Sequence, residues 1–204
     1  MFISKHNKMD NLSVAHDFID EFSFGLVVSN SLTGTHLPFV LHKNEGKMGT
    51  LYTHCAKANS HWKELDNSEV LIVFTGPHSY ISPSWYAKSP GVPTWNYSAV
   101  HVHGTVSLLN DSETLDAVEE VVHKYEPELL VKRDIVTPEF RDKLLSGIVG
   151  FKIELSTIEG TLKLGQQRTK EDQIGVFKAL SNANDLGSRA LANYMNKINL
   201  GVGS

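Results

Sequence analysis

Cysteine is nearly absent from this sequence: Cys55 stands alone in 204 residues. No intramolecular disulfide can form, so nothing points to an oxidising compartment. No apolar run approaches the ~20 residues that a membrane helix needs. The first ten residues, MFISKHNKMD, lack an apolar signal core. These absences together predict a soluble cytoplasmic protein with no membrane partner. An excess of positive charge is missing as well. Nineteen basic residues against 23 acidic ones leave a formal charge of −4. Phosphate contacts usually need a basic face, so a broad nucleic-acid surface is disfavoured, while a local basic patch stays open. There is no glycine-rich phosphate loop, no G-x-G-x-x-G and no hydrolase elbow. No internal repeat or low-complexity segment breaks the chain.

Hydrophobic residues make up 41% of the sequence, enough for a sizeable core without staples. The pattern predicts a helix over 11–22, with Leu12, Ala15, Phe18, Ile19 and Phe22 on one face and Asp10 as its cap. Strands are expected over 24–29, 36–41 and 48–54. Pro38 marks an edge or a bulge in the second, and Asn44-Glu45-Gly46 a hairpin turn before the third. A short helix is expected over 57–65. The apolar run at 69–75 reads as a buried strand stopped by Gly76-Pro77, followed by a short strand at 79–82. Three prolines and a glycine make 83–94 an ordered loop.

The longest strand is expected over 95–109, with Tyr97, Ala99, His101 and His103 on one face and Val100 and Val102 on the other. A helix over 112–125 should bury Leu115, Val118, Val121 and Val122. Thr137-Pro138-Glu139 starts another that ends near Gly147. A strand over 148–155 and helices over 169–180 and 185–197 close the chain. Consecutive strands with short connections favour an antiparallel barrel over a βαβ sheet.

Four constellations could carry chemistry. Tyr52–Asn59 joins a strand to a helix start, where free backbone N–H groups suit a phosphate. Lys57 adds charge, and Thr53 and Asn59 can donate hydrogen bonds. On spacing alone an ordinary turn, with Asn59 as cap and Lys57 solvated, fits better. The aromatics Tyr80, Trp85, Tyr86, Trp95 and Tyr97 can wall a planar ligand, or pin the proline loop. His101-x-His103 offers two ligands on one face, but no carboxylate or cysteine completes a set, so no metal is expected. Cys55 reads as structural. Last, Lys163-Leu-Gly-Gln-Gln-Arg168 is polar and basic; Arg168 could pair with an anion. Its ordinary reading is a solvated loop capped by Thr169.

Several strings act together. They are Met1-Phe-Ile-x-Lys-His6, His36-Leu-Pro38, His54-x-Ala-Lys-Ala-Asn59 with Trp62, Phe74-x-Gly-Pro-His-x-Tyr80, Ser82-Pro-Ser-Trp-Tyr86, Val92-Pro-Thr-Trp-Asn-Tyr97 and Gly150-Phe151. The sequence resembles the PaiB family of FMN-binding negative transcriptional regulators, a branch of the FMN-binding split barrels. The resemblance implies a mainly β fold with added helices: a six-stranded antiparallel Greek-key split β-barrel forming a homodimer with flavin at the subunit interface. One split-barrel domain over 1–204 would follow, with barrel at 1–109 and 148–165, a helical insertion at 110–147 and C-terminal helices at 166–204.

Carried over residue by residue, the resemblance places Thr35, His36 and Leu37 along the flavin ring. It gives Thr53, His54, Lys57 and Asn59 the phosphate. Trp95 and Asn96 would approach the ring, and Lys163, Gln166 and Arg168 would close the site. The family reads Gly-Lys-Trp-Lys-Leu-Ser-Gln-Asn-Arg in that last stretch. Here Thr161, Leu162, Gly165 and Gln167 depart from it. FMN is the implied cofactor, and the implied role is regulatory, with a DNA or regulatory-protein partner left open. An FMN-dependent oxidoreductase, of the flavin reductase or pyridoxamine phosphate oxidase kind, is the alternative, so whether the chain is an enzyme stays open. Haem binding ranks last, because such split barrels place a histidine in a C-terminal loop and none follows His123.

Overall fold

Side-chain caps mark the start of five helices in the computed structural model, which describes residues 1–9, 11–132 and 134–204. Helix α1, Leu12–Glu21, is capped by Asn11, whose side chain accepts from the Val14 amide. The expected cap, Asp10, lies outside the described residues. Asn110 and Glu113 form a reciprocal capping box at α3, Asp111–Tyr125. Thr137 caps α4, Pro138–Leu145; Thr169 caps α5, Lys170–Ser181; Asp185 caps α6, Leu186–Lys197. Each of these starts carries a polar cap of the kind that satisfies otherwise unpaired amides.

Seven strands form one sheet. They are β1 (Phe24–Val28), β2 (Gly34–Pro38), β3 (Val40–His42), β4 (Thr50–Ala56), β5 (Glu69–Ile81), β6 (Thr94–Leu108) and β7 (Ile148–Lys163). Their order is β2-β1-β5-β6-β7-β4-β3. β1 pairs antiparallel with β2 and β5, and β4 with β3 and β7. The fold is mainly antiparallel β with added helices, as expected, but with seven strands rather than six.

The extra strand comes from the segment read as one strand over 36–41. Pro38 pairs with Phe24 on β1, while Val40 pairs with Tyr52 on β4. The chain therefore passes from one sheet edge to the other through Phe39 alone. β5 shows the opposite departure, running straight through Gly76-Pro77. Its pairing with β1 covers only Leu71–Val73, so β1 requires no N–H from Pro77. β7, at 16 residues, is longer than β6, at 15.

The described chain divides into two compact units. The first comprises Met1–Asp10, Thr75–Val100 and Glu159–Ser204; the second comprises Asn11–Phe74 and His101–Ile158. Ile81, Leu164, Leu180, Leu191 and Met195 are buried in the first, and Phe18, Phe39, Leu51, Ile72, Phe74 and Phe151 in the second. In the second unit, α3 buries Thr114 and Ala117 rather than the expected apolar stripe, which is only half-buried. The cause is close approach: a Cβ on Gly150 of β7 would sit 2.5 Å from Thr114 Oγ1. Gly150→Ala should therefore destabilise the protein by about 1–3 kcal/mol through overpacking. Denaturant titration reads this, and an unchanged midpoint would mean that α3 does not depend on a bare backbone here.

Candidate functional site

The Tyr52–Asn59 turn lies in the second unit. β4 runs on to Ala56, and the helix expected over 57–65 shrinks to one turn, α2, Trp62–Leu65. His61 at its start is itself helical and makes no side-chain cap. A single helical turn supplies no sizeable dipole to a phosphate here. The intervening loop has its own geometry. Lys57 donates its amide to the Gly147 carbonyl at 2.8 Å, and Asn59 to the Ala56 carbonyl at 2.9 Å. The Trp62 indole closes the turn by donating to the Lys57 carbonyl at 3.0 Å. Among the described residues, the amides of Ala58, Ser60 and Trp62 have no partner. Neither does the exposed Lys57 ammonium. Free N–H groups at alternate positions in a turn suit an anion.

Thr35, Asn59 and His61 form a closed network beside this turn. Asn59 Nδ2 donates to Thr35 Oγ1 at 3.2 Å, and Asn59 Oδ1 accepts from the His61 amide at 3.1 Å. Thr35 Oγ1 and His61 Nδ1 are 2.8 Å apart. His61 is 3% exposed, yet its Nε2 has no partner. His54 Nδ1 is buried and unpartnered too. Burial pushes both imidazoles below their usual pKa, with Glu64 opposing the shift at His61, so both are held neutral. Sequence reasoning missed His61. It is one histidine among ten, and its only signal was its place two residues after Asn59.

The other expected residues of this unit fall differently. Thr53 is fully buried and donates to the Pro38 carbonyl at 2.6 Å, which leaves it no free proton. Leu37 is buried, whereas His36 is exposed and stacks on Phe24 at 5.9 Å. The Tyr52 hydroxyl donates to Glu45 at 2.8 Å; burial and that carboxylate raise its pKa to about 12. Cys55 is buried, and burial pushes its thiol pKa up, as suits a structural cysteine.

The remaining candidates lie in the first unit, around a cavity of about 230 Å³. Asn96, Lys163, Gln166 and Arg168 all line it. Trp95 does not. Neighbouring strand residues point to opposite faces, and Trp95 is exposed, edge-on to Tyr80 at 6.3 Å. Lys163 Nζ donates to Thr94 Oγ1 at 2.7 Å, and the Arg168 guanidinium lies 4.3 Å from the centre of the Tyr86 ring. Gln166 is structural, bracing the His6 and Leu162 carbonyls and the Leu164 amide. Of the positions that depart from the family string, Thr161 and Leu162 are buried, and Gly165 has φ +81, which a serine would strain.

The family model described as "Putative FMN-binding domain" matches residues 1–157. The chain belongs to this FMN-binding family. A curated relative, the protease synthase and sporulation protein PAI 2 of Bacillus subtilis (strain 168), is 36% identical over 201 residues, covering 96% of each chain. Two solved structures share the fold. The flavocytochrome Anf3 from Azotobacter vinelandii has a TM-score of 0.62 at 14% identity, covering 80% of this chain and 73% of its own. The FAD and heme binding protein from Mycobacterium smegmatis has 0.56 at 12%, covering 78% and 74%.

The residues present fit the family's cofactor, FMN. The orphaned His61 imidazole, the free amides of Ala58, Ser60 and Trp62 and the Lys57 ammonium are groups of the kind a phosphate takes. His54 and His61 also set a pH dependence. Their pKa values are lower folded than the unperturbed ~6.5, so the unfolded chain binds more protons below that value. Their contribution to stability is complete above pH ~6.5 and is lost as pH falls toward the folded pKa values. Tm should drop between about pH 7.5 and about pH 5.5, above the carboxylate range. A flat or rising Tm over that window would contradict neutral His54 and His61.

Proposed function

We propose that this chain holds FMN by its phosphate at the turn following β4, in a homodimer whose flavin sites lie at the subunit interface. We further propose that it acts as a PaiB-like regulatory protein. The placement of the phosphate is carried by one observation: unpartnered donors collect on the segment 57–62. They are the Lys57 ammonium, the Ala58, Ser60 and Trp62 amides and, when Thr35 donates to His61 Nδ1, the His61 Nε2–H. An isolated buried donor is costly, and a phosphate oxygen would satisfy it.

In this reading Thr35 and Asn59 act indirectly. They hold the His61 ring and its tautomer, while Thr53 and Phe39 fix the strand that carries Thr35. FMN, when bound, supplies hydride and electron chemistry of its own, so the chain need only bind and orient it. The regulatory role is supported by the likeness to the sporulation protein over nearly its full length. With a formal charge of −4, any DNA contact needs a partner protein or a local basic surface.

Lys57→Ala should weaken FMN binding by about 1.5–3 kcal/mol, the usual worth of a hydrogen bond to a charged group. Flavin fluorescence quenching on titration into the apoprotein measures this directly. Undiminished affinity in that variant places the phosphate elsewhere. Transcript levels after gene deletion test the regulatory part: unchanged transcripts, with NADH or NADPH oxidised by the yellow protein, would move the conclusion to an oxidoreductase.

A further inference from the structure

We infer that the cavity of the first unit is a binding site for a small organic acid, read by Asn96 together with Lys163 and Arg168. Three observations carry this. The first is an unused buried amide. Five side-chain amides line the cavity, and four of them are hydrogen-bonded. Gln167 donates to Asn7 Oδ1 at 3.2 Å. Gln166 holds three backbone groups, and Gln173 donates to the Arg168 carbonyl at 2.8 Å. Asn96 is 3% exposed, and its carboxamide has no partner among the described residues. Its polar atoms face the cavity, where a ligand carbonyl or N–H can take the place of solvent.

The second observation is charge. Lys163 rests on Thr94 and Arg168 on Tyr86, and neither meets a carboxylate. The one acid in the wall, Asp172, is buried and accepts from the Ala87 amide at 2.9 Å through Oδ1. Two cations less one carboxylate leave the wall with one net positive charge. The third is shape. Tyr86, Val92, Pro93, Leu164 and Val176 supply apolar walls. A small apolar body with one acidic group and a neighbouring polar atom matches all three features.

The inference goes beyond the flavin reading and rests on it at one point. FMN carries a single phosphate, and the turn after β4 supplies its own donors for it. The cations of the cavity are then left for a second anion.

Benzoate, titrated into the FMN-loaded protein and followed by Tm and calorimetry, tests this. Benzyl alcohol serves as the neutral analogue and inorganic phosphate as the bare anion. Benzoate should raise Tm saturably, and the other two should not. Lys163→Gln and Asn96→Ala should each weaken benzoate at least about tenfold while keeping FMN. Lys57→Ala should do the reverse, losing FMN and keeping benzoate. Lys163 is only half-buried, so its variant keeps the test valid if Asn96→Ala fails to fold. The inference is overturned if benzoate does not bind, if it binds both variants undiminished, or if phosphate or benzyl alcohol binds as well. Loss of FMN from Lys163→Gln would also overturn it, because the cavity would then belong to the flavin site.

Discussion

Phe39 carries the chain from one edge of the sheet to the other in a single residue, and the second unit is organised around that passage. Its side chain is 1% exposed and meets Phe74 edge-on at 5.5 Å. Its amide donates to the Ser23 carbonyl at 2.8 Å, and Thr53 clamps the preceding Pro38 carbonyl at 2.6 Å. With Pro38 paired to β1 and Val40 paired to β4, the register of both edges is set together. That register puts Thr35 within reach of Asn59 and His61. The Thr35–Asn59–His61 network is thus a consequence of how the sheet edges are joined, and Thr53 contributes as a clamp rather than as a ligand.

Local chemistry made much of this readable. Thr137 and Thr169 announce their helices because a cap needs only its own next three residues. The Asn44–Gly46 turn is equally local, and Gly46 indeed takes φ +75. What stayed hidden depends on distant partners. Pro38 signalled an irregularity, but nothing nearby says that β2 and β3 pair on opposite edges. Gly76-Pro77 has the composition of a stop, yet β5 continues past it, beyond the Leu71–Val73 stretch that pairs with β1. The segment 57–65 has helical spacing, but tertiary bonds from Lys57 to Gly147 and from Trp62 back to Lys57 hold most of it as a loop.

The candidate site was legible only in part. Lys57 and Asn59 carried the chemistry through the family string, and Asn96, Lys163, Gln166 and Arg168 do line one cavity. Their division between two units could not be read from the chain, because β5, β6 and β7 each contribute residues to both. His61 escaped for a different reason. Its importance lies in burial and in an unmatched nitrogen, and neither leaves a trace in composition. The Trp95–Asn96 pair shows the same limit. Adjacent letters became opposite faces of one strand.

The central claim is that the turn after β4 grips the flavin phosphate. Hydrogen–deuterium exchange with and without FMN tests it most directly, because the Ala58, Ser60 and Trp62 amides have no other partner to slow them. The account predicts new protection in peptides covering 52–62 when FMN is added. Protection confined to 160–168, with 52–62 unchanged, would contradict it.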